Sequence, residues 1–501
     1  MTTTLTKPST TAARSAEHSK RWWILAVLGV AQLMVVLDAT VVNIALPKAQ
    51  TALAFSDADR QWIVTAYSLA FGSLLLIGGR IVDMIGQRRT LLIGSAGFAL
   101  ASAVGGAAVN FGMLAAARAV QGAFGALLAP AILAVLTTTF TDARERAKAF
   151  GIFGAIAGAG ASIGLLLGGV LTEYANWRWT LYVNLFFAVV ALIGGSALLG
   201  RHARTERARI DVPGTLLVTL GLFALVYGFS HAAPPTMTAS ARWGDVQTIV
   251  SLVLAAVLLI GFAVVERRTR GPLLPLHIVL DRNRGGSLLA MFIASVGMFG
   301  VFLFLTYYLE SPTMQHYSPI KTGLAFLPMT GLIIVVASVG STLLVPRFSG
   351  RVLIPVGMVF AAAGMWLLTG LGLSSSYAAD ILPGTLVMAV GMGLIFAPAF
   401  SLATLGVDPE HAGVASAAVN AMQQVGGAIG TALLNTISVT VATSYAAAHV
   451  GQALLARNAE LHGYLVPFWI AAGIFAGGAV LTAAVLRSGV PQVSSEAPVV
   501  L

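Results

Sequence analysis

The sequence predicts an all-α protein that crosses a lipid bilayer fourteen times. Of its 501 residues, 57% are hydrophobic and only 10% are charged, which excludes an ordinary soluble domain. Between residues 22 and 486, fourteen apolar segments follow one another, each near the roughly 20 residues that a helix needs to cross a bilayer core. These segments lack the alternating pattern of a membrane β-barrel, so helices are the structure that satisfies the backbone in lipid.

The basic residues predict how the chain is oriented. The formal net charge is +10, but Lys and Arg lie in short loops rather than on one surface, which excludes nucleic-acid binding. With an even number of crossings both termini share one side, and 21 Lys and Arg flank that side against six in the opposite loops. This asymmetry predicts cytoplasmic termini, and the composition favours a bacterial inner membrane. The first crossing is longer than the apolar core of a signal peptide, so we expect it to be retained.

Two distant stretches share a pattern that indicates an internal repeat. The segment 125–131, Gly-Ala-Leu-Leu-Ala-Pro-Ala, is echoed by 393–399, Gly-Leu-Ile-Phe-Ala-Pro-Ala, and a glycine-containing helix follows each. The offset spans eight helices rather than six, so two helices are inserted between two six-helix halves. Chance recurrence in a Gly- and Ala-rich chain is the alternative. The predicted units are a cytoplasmic tail (1–21), an N-terminal six-helix bundle (22–199), a linker with two extra transmembrane helices (200–285), a C-terminal six-helix bundle (286–486) and a second cytoplasmic tail (487–501).

Paired halves of this kind indicate a secondary transporter with its substrate site between the halves, near mid-membrane. Two charged residues that lie within the predicted crossings are candidates for a functional role. Asp38 lies about 12 Å below the outer end of the first crossing, and Arg118 lies at a similar depth in the fourth, so the two could meet. A carboxyl in lipid is costly and points to a role in gaining and losing a proton. A permanent ion pair, or snorkelling of Arg118 to the interface, is the alternative.

Glycines and charges near the second and fifth crossings suggest moving parts. Gly79, Asp83, Gly86 and Arg88 lie at the cytoplasmic end of the second crossing and its tight loop, where they could latch the entrance in one state. The alternative is an ordinary basic loop. In the fifth crossing, Gly160, Gly164 and Gly168 are spaced four apart, which allows close helix packing.

Several of these motifs resemble one known family. Residues 79–89 resemble the loop signature of the major facilitator superfamily, and 37–47 resemble the first-helix signature of its fourteen-helix drug:proton antiporters, the QacA and EmrB group. Arg118-x-x-Gln121-Gly122 and the run 424–430, Gln-Val-Gly-Gly-Ala-Ile-Gly, also match. The resemblance covers about residues 22–486. It implies the major facilitator fold, proton-driven export, proton coupling by Asp38 and Arg118, and gating by Asp83.

The chain departs from the family pattern at two positions. Leu165 stands in the fifth crossing where the antiporter signature has proline, and Phe186 stands where a proline usually follows Asn-x. Loss of the first proline removes a bend that in this family favours exchange over leak, which weakens the implication of antiport. The second departure has no clear consequence.

Polar and aromatic residues within the crossings are candidates for lining a substrate cavity, because a few polar groups among apolar walls tolerate varied ligands. Each could equally form a helix–helix hydrogen bond, and Glu310 could be a solvated acid at the rim. These candidates are Tyr67, Gln121, Asn184, Tyr308, Glu310, Asn420 and Gln424.

The sequence therefore predicts a proton-coupled antiporter that exports small hydrophobic or cationic compounds by alternating access. Its partners are a small-molecule substrate, protons and the lipid bilayer, and we expect it to work as a monomer. No enzyme activity, metal site or cofactor is expected, and the proton gradient is the energy source, since no nucleotide-binding glycine loop is present. Two alternatives stay open: a dedicated exporter of one endogenous metabolite, antibiotic, siderophore or lipid, and a membrane-embedded transferase.

Overall fold

A computed structural model shows the arrangement of the helices. It describes residues 10–55, 57–200, 211–232, 242–269, 279–311, 313–344, 347–405, 407, 412–449 and 454–487. The ends of both predicted tails (1–9 and 488–501) and the arginine-rich parts of the predicted linker (201–210 and 270–278) lie outside the described residues.

Fourteen long helices follow one another along the described chain, and no strand occurs in that part of it. The first eight are α1 (Thr10–Leu53), α2 (Asp57–Ile85), α3 (Gln87–Gly106), α4 (Phe111–Thr139), α5 (Ala143–Tyr174), α6 (Trp179–Leu198), α7 (Val212–Ala232) and α8 (Val246–Arg268). The other six are α9 (Arg282–Glu310), α10 (Pro319–Val339), α11 (Gly350–Leu368), α12 (Leu382–Thr404), α13 (Ala412–Ala448) and α14 (Leu455–Val485). Short π-helical turns, Gly340–Leu344 and Tyr377–Ile381, extend α10 and lead into α12.

Local sequence explains where several helices begin. The side chains of Asn110, Asp281 and Ser318 accept hydrogen bonds from backbone amides in the first turns of α4, α9 and α10. Gly86, with φ +89°, separates α2 from α3 in a conformation that favours glycine. At the N-terminus, α1 starts twelve residues before the predicted crossing, because the polar segment before Trp22 holds no proline or glycine after Pro8 and continues as helix.

The helix lengths fit a protein that crosses a membrane many times. Thirteen helices are long and apolar enough to span a bilayer. The other, α5, has 32 residues, and several of its side chains lie outside the described part of the chain. The fourteen helices coincide with the fourteen segments predicted from hydropathy, so the predicted fold class is confirmed.

Two six-helix bundles repeat the same packing pattern eight helices apart. In the first bundle α1 packs on α5 and α6, α2 on α4, and α3 on α4 and α6. In the second, α9 packs on α13 and α14, α10 on α12, and α11 on α12 and α14. The bundles meet along two matching seams, one where α5 packs on α10 and one where α2 packs on α13. The inserted helices explain why the repeat is eight helices rather than six.

The inserted helices α7 and α8 pack on each other and cover the α2–α13 seam. Helix α7 contacts both α2 and α13. A hydrophobic cluster joins the four helices through the buried residues Leu76 on α2, Val218 and Leu222 on α7, Phe262 on α8, and Ala417 and Val425 on α13. The pair is therefore attached to both bundles. The exact residue boundaries of the predicted units stay a prediction.

The two ends of the helix bundle are distinguished by polar contacts. On one end, which we call the terminal face, the start of α1 meets the start of α5 through Arg21 and Glu145, and the start of α9 meets the end of α14 through Arg282 and the Val485 carbonyl. On the opposite face, Lys48 at the end of α1 donates to the Thr172 carbonyl at the end of α5.

Close backbone contact between α11 and α12 gives a testable prediction. A Cβ at Gly391 would lie against the Gly357 carbonyl and the Ala361 backbone. We expect Gly391→Ala to lower the stability by about 1–3 kcal/mol, because neither neighbour is a movable side chain. Thermal unfolding of the purified protein in detergent measures the effect. Gly473→Ala on α14, where a Cβ meets nothing within 4 Å, is the matched control. Equal unfolding temperatures for both variants would contradict the packing.

Candidate functional site

Side chains from four helices of the first bundle gather around Asp38 on α1. Its neighbours are Tyr67 on α2, Ser102 on α3, Arg118 and Gln121 on α4, and Asn184 on α6. All six are buried, and the Asp38 side chain is 0% exposed. We call this set the Asp38 cluster. It is a polar centre enclosed by apolar helices.

The charge of Asp38 is met by an arginine in direct contact. Arg118 Nη1 donates to Asp38 Oδ2 at a distance of 2.5 Å, and Arg118 is 2% exposed. Removing both ions from water is costly, so such a pair persists only with close geometry and further hydrogen bonds. Arg118 also donates to Gln121 Oε1 at 2.7 Å, and its Cζ lies 4.3 Å from the centre of the Tyr67 ring. The guanidinium therefore has two other partners beside the carboxylate.

The second carboxylate oxygen belongs to a closed ring of hydrogen bonds. Gln121 Nε2 donates to Asp38 Oδ1 at 2.7 Å and to Ser102 Oγ at 2.6 Å. Asn184 Nδ2 donates to the same two oxygens, at 2.8 and 2.9 Å. A carboxylate only accepts, which fixes the orientation of both amides. The two oxygens of Asp38 thus have different surroundings, the Arg118 guanidinium at Oδ2 and two amides at Oδ1.

This cluster contains three residues that the sequence analysis assigned to a substrate cavity. Tyr67, Gln121 and Asn184 are 3%, 1% and 0% exposed and face Asp38 and Arg118 rather than an open space. Ser102 was missed altogether. A serine in an apolar helix carries no signal of its own, and only the helix packing brings it to Asp38.

The glycines of α5 lie against α1 beside Asp38. A Cβ at Gly160, Gly164 or Gly168 would overlap Val36, Thr40 or Val41, respectively. These contacts bracket Asp38 within about one turn on either side, so α5 touches the helix that carries the carboxylate. The side chain of Leu165 lies outside the described residues. A shift of α5 along α1 would therefore change packing contacts directly beside Asp38.

The predicted gating loop lies on the terminal face. Gly79 is buried within α2, and Asp83 is half-buried in its last turn. Arg88, also half-buried, donates through Nη2 to the Ser196 carbonyl of α6 at 3.0 Å. Arg88 thus ties the loop to its own bundle.

The remaining candidates lie in the second bundle and do not join the Asp38 cluster. Tyr308 is fully buried, and its hydroxyl donates to the Gly372 carbonyl at 2.6 Å. Asn420 donates to the Ser416 carbonyl one turn earlier in α13. Gln424 and Glu310 are partly exposed. In this conformation the Tyr308 hydroxyl and the Asn420 amide nitrogen therefore donate to backbone carbonyls within the second bundle.

The bundles touch at the terminal face through a contact that the sequence analysis missed. Arg146 on α5 donates through Nη2 to Thr404 Oγ1 on α12 at 2.9 Å, and both side chains are buried. Phe153 and Phe400 meet edge to face with ring centres 5.5 Å apart. Gly154 lies against Phe396. Basic and aromatic residues at helix ends gave no sign that they would meet across the two halves.

A bundle of two matching halves with a buried ion pair in one of them defines a polytopic membrane transporter fold. Comparison with known proteins supports this class. Residues 28–431 match the model of the Major Facilitator Superfamily. The chain is 48% identical to the puromycin resistance protein of Streptomyces alboniger over 95% of this chain and 93% of the relative. It is 37% identical to the cephamycin export protein of Amycolatopsis lactamdurans, over 85% and 86%. The chain belongs to the Major Facilitator Superfamily.

A solved structure agrees with this assignment at the level of the fold. The human organic anion transporter MFSD10 aligns with a TM-score of 0.60 at 15% identity, covering 92% of this chain and 99% of that one. At such low identity the likeness concerns the fold alone. The predicted superfamily is confirmed by the sequence relatives and by the fold together.

The enclosed ion pair predicts a large and specific effect on stability. We expect Arg118→Gln to lower the stability by about 3–5 kcal/mol at pH 8, because it leaves the carboxylate of Asp38 buried without its cation. The double variant Asp38→Asn with Arg118→Gln should recover most of that loss. Thermal unfolding in detergent compares the three proteins. A double variant no more stable than Arg118→Gln alone would show that the two charges are not coupled.

Proposed function

We propose that the protein exports small hydrophobic or cationic compounds, antibiotics among them, in exchange for protons by alternating access. The single observation that carries this proposal is the enclosed carboxylate of Asp38, whose Oδ2 is held by Arg118. A proton and the Arg118 N–H compete for that oxygen, because protonation removes its negative charge and turns it into a hydroxyl, which is a poorer acceptor. Uptake of a proton therefore displaces Arg118, and loss of the proton draws it back.

The displaced arginine links the proton to the shape of the protein. Arg118 retains Gln121 Oε1 and the face of Tyr67 as partners, so it turns within the cluster rather than leaving it. Its movement is transmitted to α2 through Tyr67 and to α4 through its own backbone. Both helices reach the second bundle, where they pack on α13. Coupling in this scheme is a difference in proton binding between two arrangements of the halves.

The orientation in the membrane follows from the loop charges. We infer that the terminal face is cytoplasmic and that the membrane is the bacterial inner membrane, because Lys and Arg concentrate on that side. In the conformation described here, α5 and α12 meet at the terminal face through Arg146, Thr404 and Phe153. This contact closes the cytoplasmic side. Opening it would admit substrate from the cytoplasm or the inner leaflet, with Asp83, Gly86 and Arg88 as parts of the same gate.

The relatives support export of antibiotics. Their names include a puromycin resistance protein, a cephamycin export protein and a lincomycin resistance protein of Streptomyces lincolnensis. The same names favour a second candidate, a dedicated exporter of one endogenous metabolite, since a probable actinorhodin transporter of Streptomyces coelicolor is also among them. Resistance profiles of a susceptible host that expresses the protein, tested with puromycin, lincomycin and a cephamycin, distinguish broad export from one dedicated substrate.

Neutralising the carboxylate tests the proton coupling. We expect Asp38→Asn to abolish uphill export of puromycin, because an amide of the same shape cannot carry a proton between the two sides. Downhill movement of puromycin should persist. Accumulation of radiolabelled puromycin in vesicles, with and without a proton uncoupler, measures both.

Glu173→Gln is the control for this experiment, since it removes an exposed carboxylate at the end of α5, away from the cluster. It should export like the wild type. Full uncoupler-sensitive export by Asp38→Asn would refute the role of Asp38. Export by the wild type that ignores the uncoupler would refute proton exchange itself.

A disulfide across the terminal face tests alternating access. The chain has no cysteine, so pairs can be introduced without other changes. A Cβ built on Gly154 lies 3.5 Å from the Cβ of Phe396, a separation that a disulfide accepts. We expect the double variant Gly154→Cys with Phe396→Cys to crosslink under oxidation and to stop export, because the cytoplasmic side can no longer open.

Reduction should restore export, and each single cysteine variant should be insensitive to oxidant. Gel mobility after cleavage of the loop between α8 and α9 reports the crosslink. Continued export by the fully crosslinked protein would contradict the requirement for this face to open.

A further inference from the structure

We propose that Ser102 is a positioning residue that confines the exchanged proton to Oδ2 of Asp38. The proposal rests on the proposed proton-coupled export. It adds a residue on α3 that lies outside the ion pair itself. Its basis is the ring formed by Asp38 Oδ1, Gln121 Nε2, Ser102 Oγ and Asn184 Nδ2.

The ring leaves no room for a proton on Oδ1. Each amide nitrogen has two hydrogens, and each gives one to Asp38 Oδ1 and one to Ser102 Oγ, at 2.6 to 2.9 Å. A proton on Oδ1 would face two N–H donors and would have no acceptor. Either amide would have to turn its carbonyl oxygen toward Oδ1 to accept a hydrogen bond from it. Turning removes the N–H that the amide donates to Ser102 Oγ, in a site where all four residues are at most 1% exposed.

The surroundings of Oδ2 are different. Its one donor, Arg118 Nη1, has alternative partners in Gln121 Oε1 and the Tyr67 ring, so it can withdraw. A proton therefore enters at Oδ2, where it removes the negative charge and leaves a hydroxyl that is a poor acceptor, so Arg118 withdraws. By keeping the proton off Oδ1, Ser102 couples proton binding to the loss of the Arg118 contact. The chemical step is reversible protonation: only the O–H bond at Oδ2 forms and breaks, and no electrons are transferred to or from the protein.

Without the Ser102 hydroxyl the two amides lose their shared acceptor. Gln121 or Asn184 can then turn its carbonyl oxygen toward Asp38 and accept a hydrogen bond from a protonated Oδ1, while Arg118 stays on Oδ2. Proton binding would then no longer displace Arg118, so it would not change how the helices pack. The expected defect is slippage, a loss of coupling rather than a loss of folding.

Infrared spectroscopy of the purified full chain at acidic pH tests this directly and needs no substrate. The carbonyl band of protonated Asp38 is identified by its loss in Asp38→Asn. We expect one band in the wild type, because the proton occupies one oxygen, and two bands in Ser102→Ala. Substrate-free proton uptake into liposomes should rise roughly fivefold in Ser102→Ala, the factor expected when one buried hydrogen bond is lost. A single band at the wild-type position together with wild-type proton uptake would overturn the proposal.

Three further variants serve as controls for this test. Ser95→Ala is the matched control, because Ser95 is also on α3 and 0% exposed, and its hydroxyl has no hydrogen-bond partner among the described residues. It should keep one band. Ser102→Thr retains the hydroxyl acceptor and should restore one band, whereas Ser102→Cys supplies a poor acceptor and should split the band even if the alanine variant does not fold.

The outcomes separate this proposal from the one on which it rests. If no wild-type band disappears in Asp38→Asn, Asp38 takes no proton and the proposed proton coupling fails. If the band is present and titrates in the wild type but Ser102→Ala leaves it unchanged, only the role of Ser102 fails.

Discussion

The organisation of the first bundle depends on a carboxylate that is fully buried among the helices. Asp38 is 0% exposed, so its charge has to be balanced by protein groups alone. That requirement draws a cation from α4, amides from α4 and α6, and a hydroxyl from α3 into one place. The helices that supply them are fixed relative to α1. The same interaction therefore constrains how the helices of the first bundle pack.

Around this centre, small residues set the distances between helices. Lipid provides no hydrophobic drive for helices to associate, so close contact between backbones matters more than in soluble proteins. Gly168 against Val41 and Gly391 against Gly357 are contacts of this kind, one in each bundle. The Asp38 cluster lies beside one such contact, so a local change there reaches a seam through a single helix.

Much of the fold and part of the site could be predicted from the sequence. Hydropathy fixes the number of crossings, because each apolar run has to be a helix in lipid. Depth along a helix follows from counting residues, which is why the meeting of Asp38 and Arg118 could be foreseen. The direction that a side chain faces does not follow from counting when the whole helix is apolar. For this reason the sequence analysis assigned Tyr67, Gln121 and Asn184 to a cavity and overlooked Ser102. It also could not predict the contact of Arg146 with Thr404. The roles of all these residues in transport stay predictions.

The inserted pair α7 and α8 makes an otherwise two-fold arrangement one-sided. Its cluster with Leu76 and Val425 covers the α2–α13 seam, and no described helix covers the α5–α10 seam in the same way. A molecule dissolved in the bilayer therefore meets the two inserted helices at one seam and no described helix at the other, so the two flanks of the fold present different surfaces to the lipid.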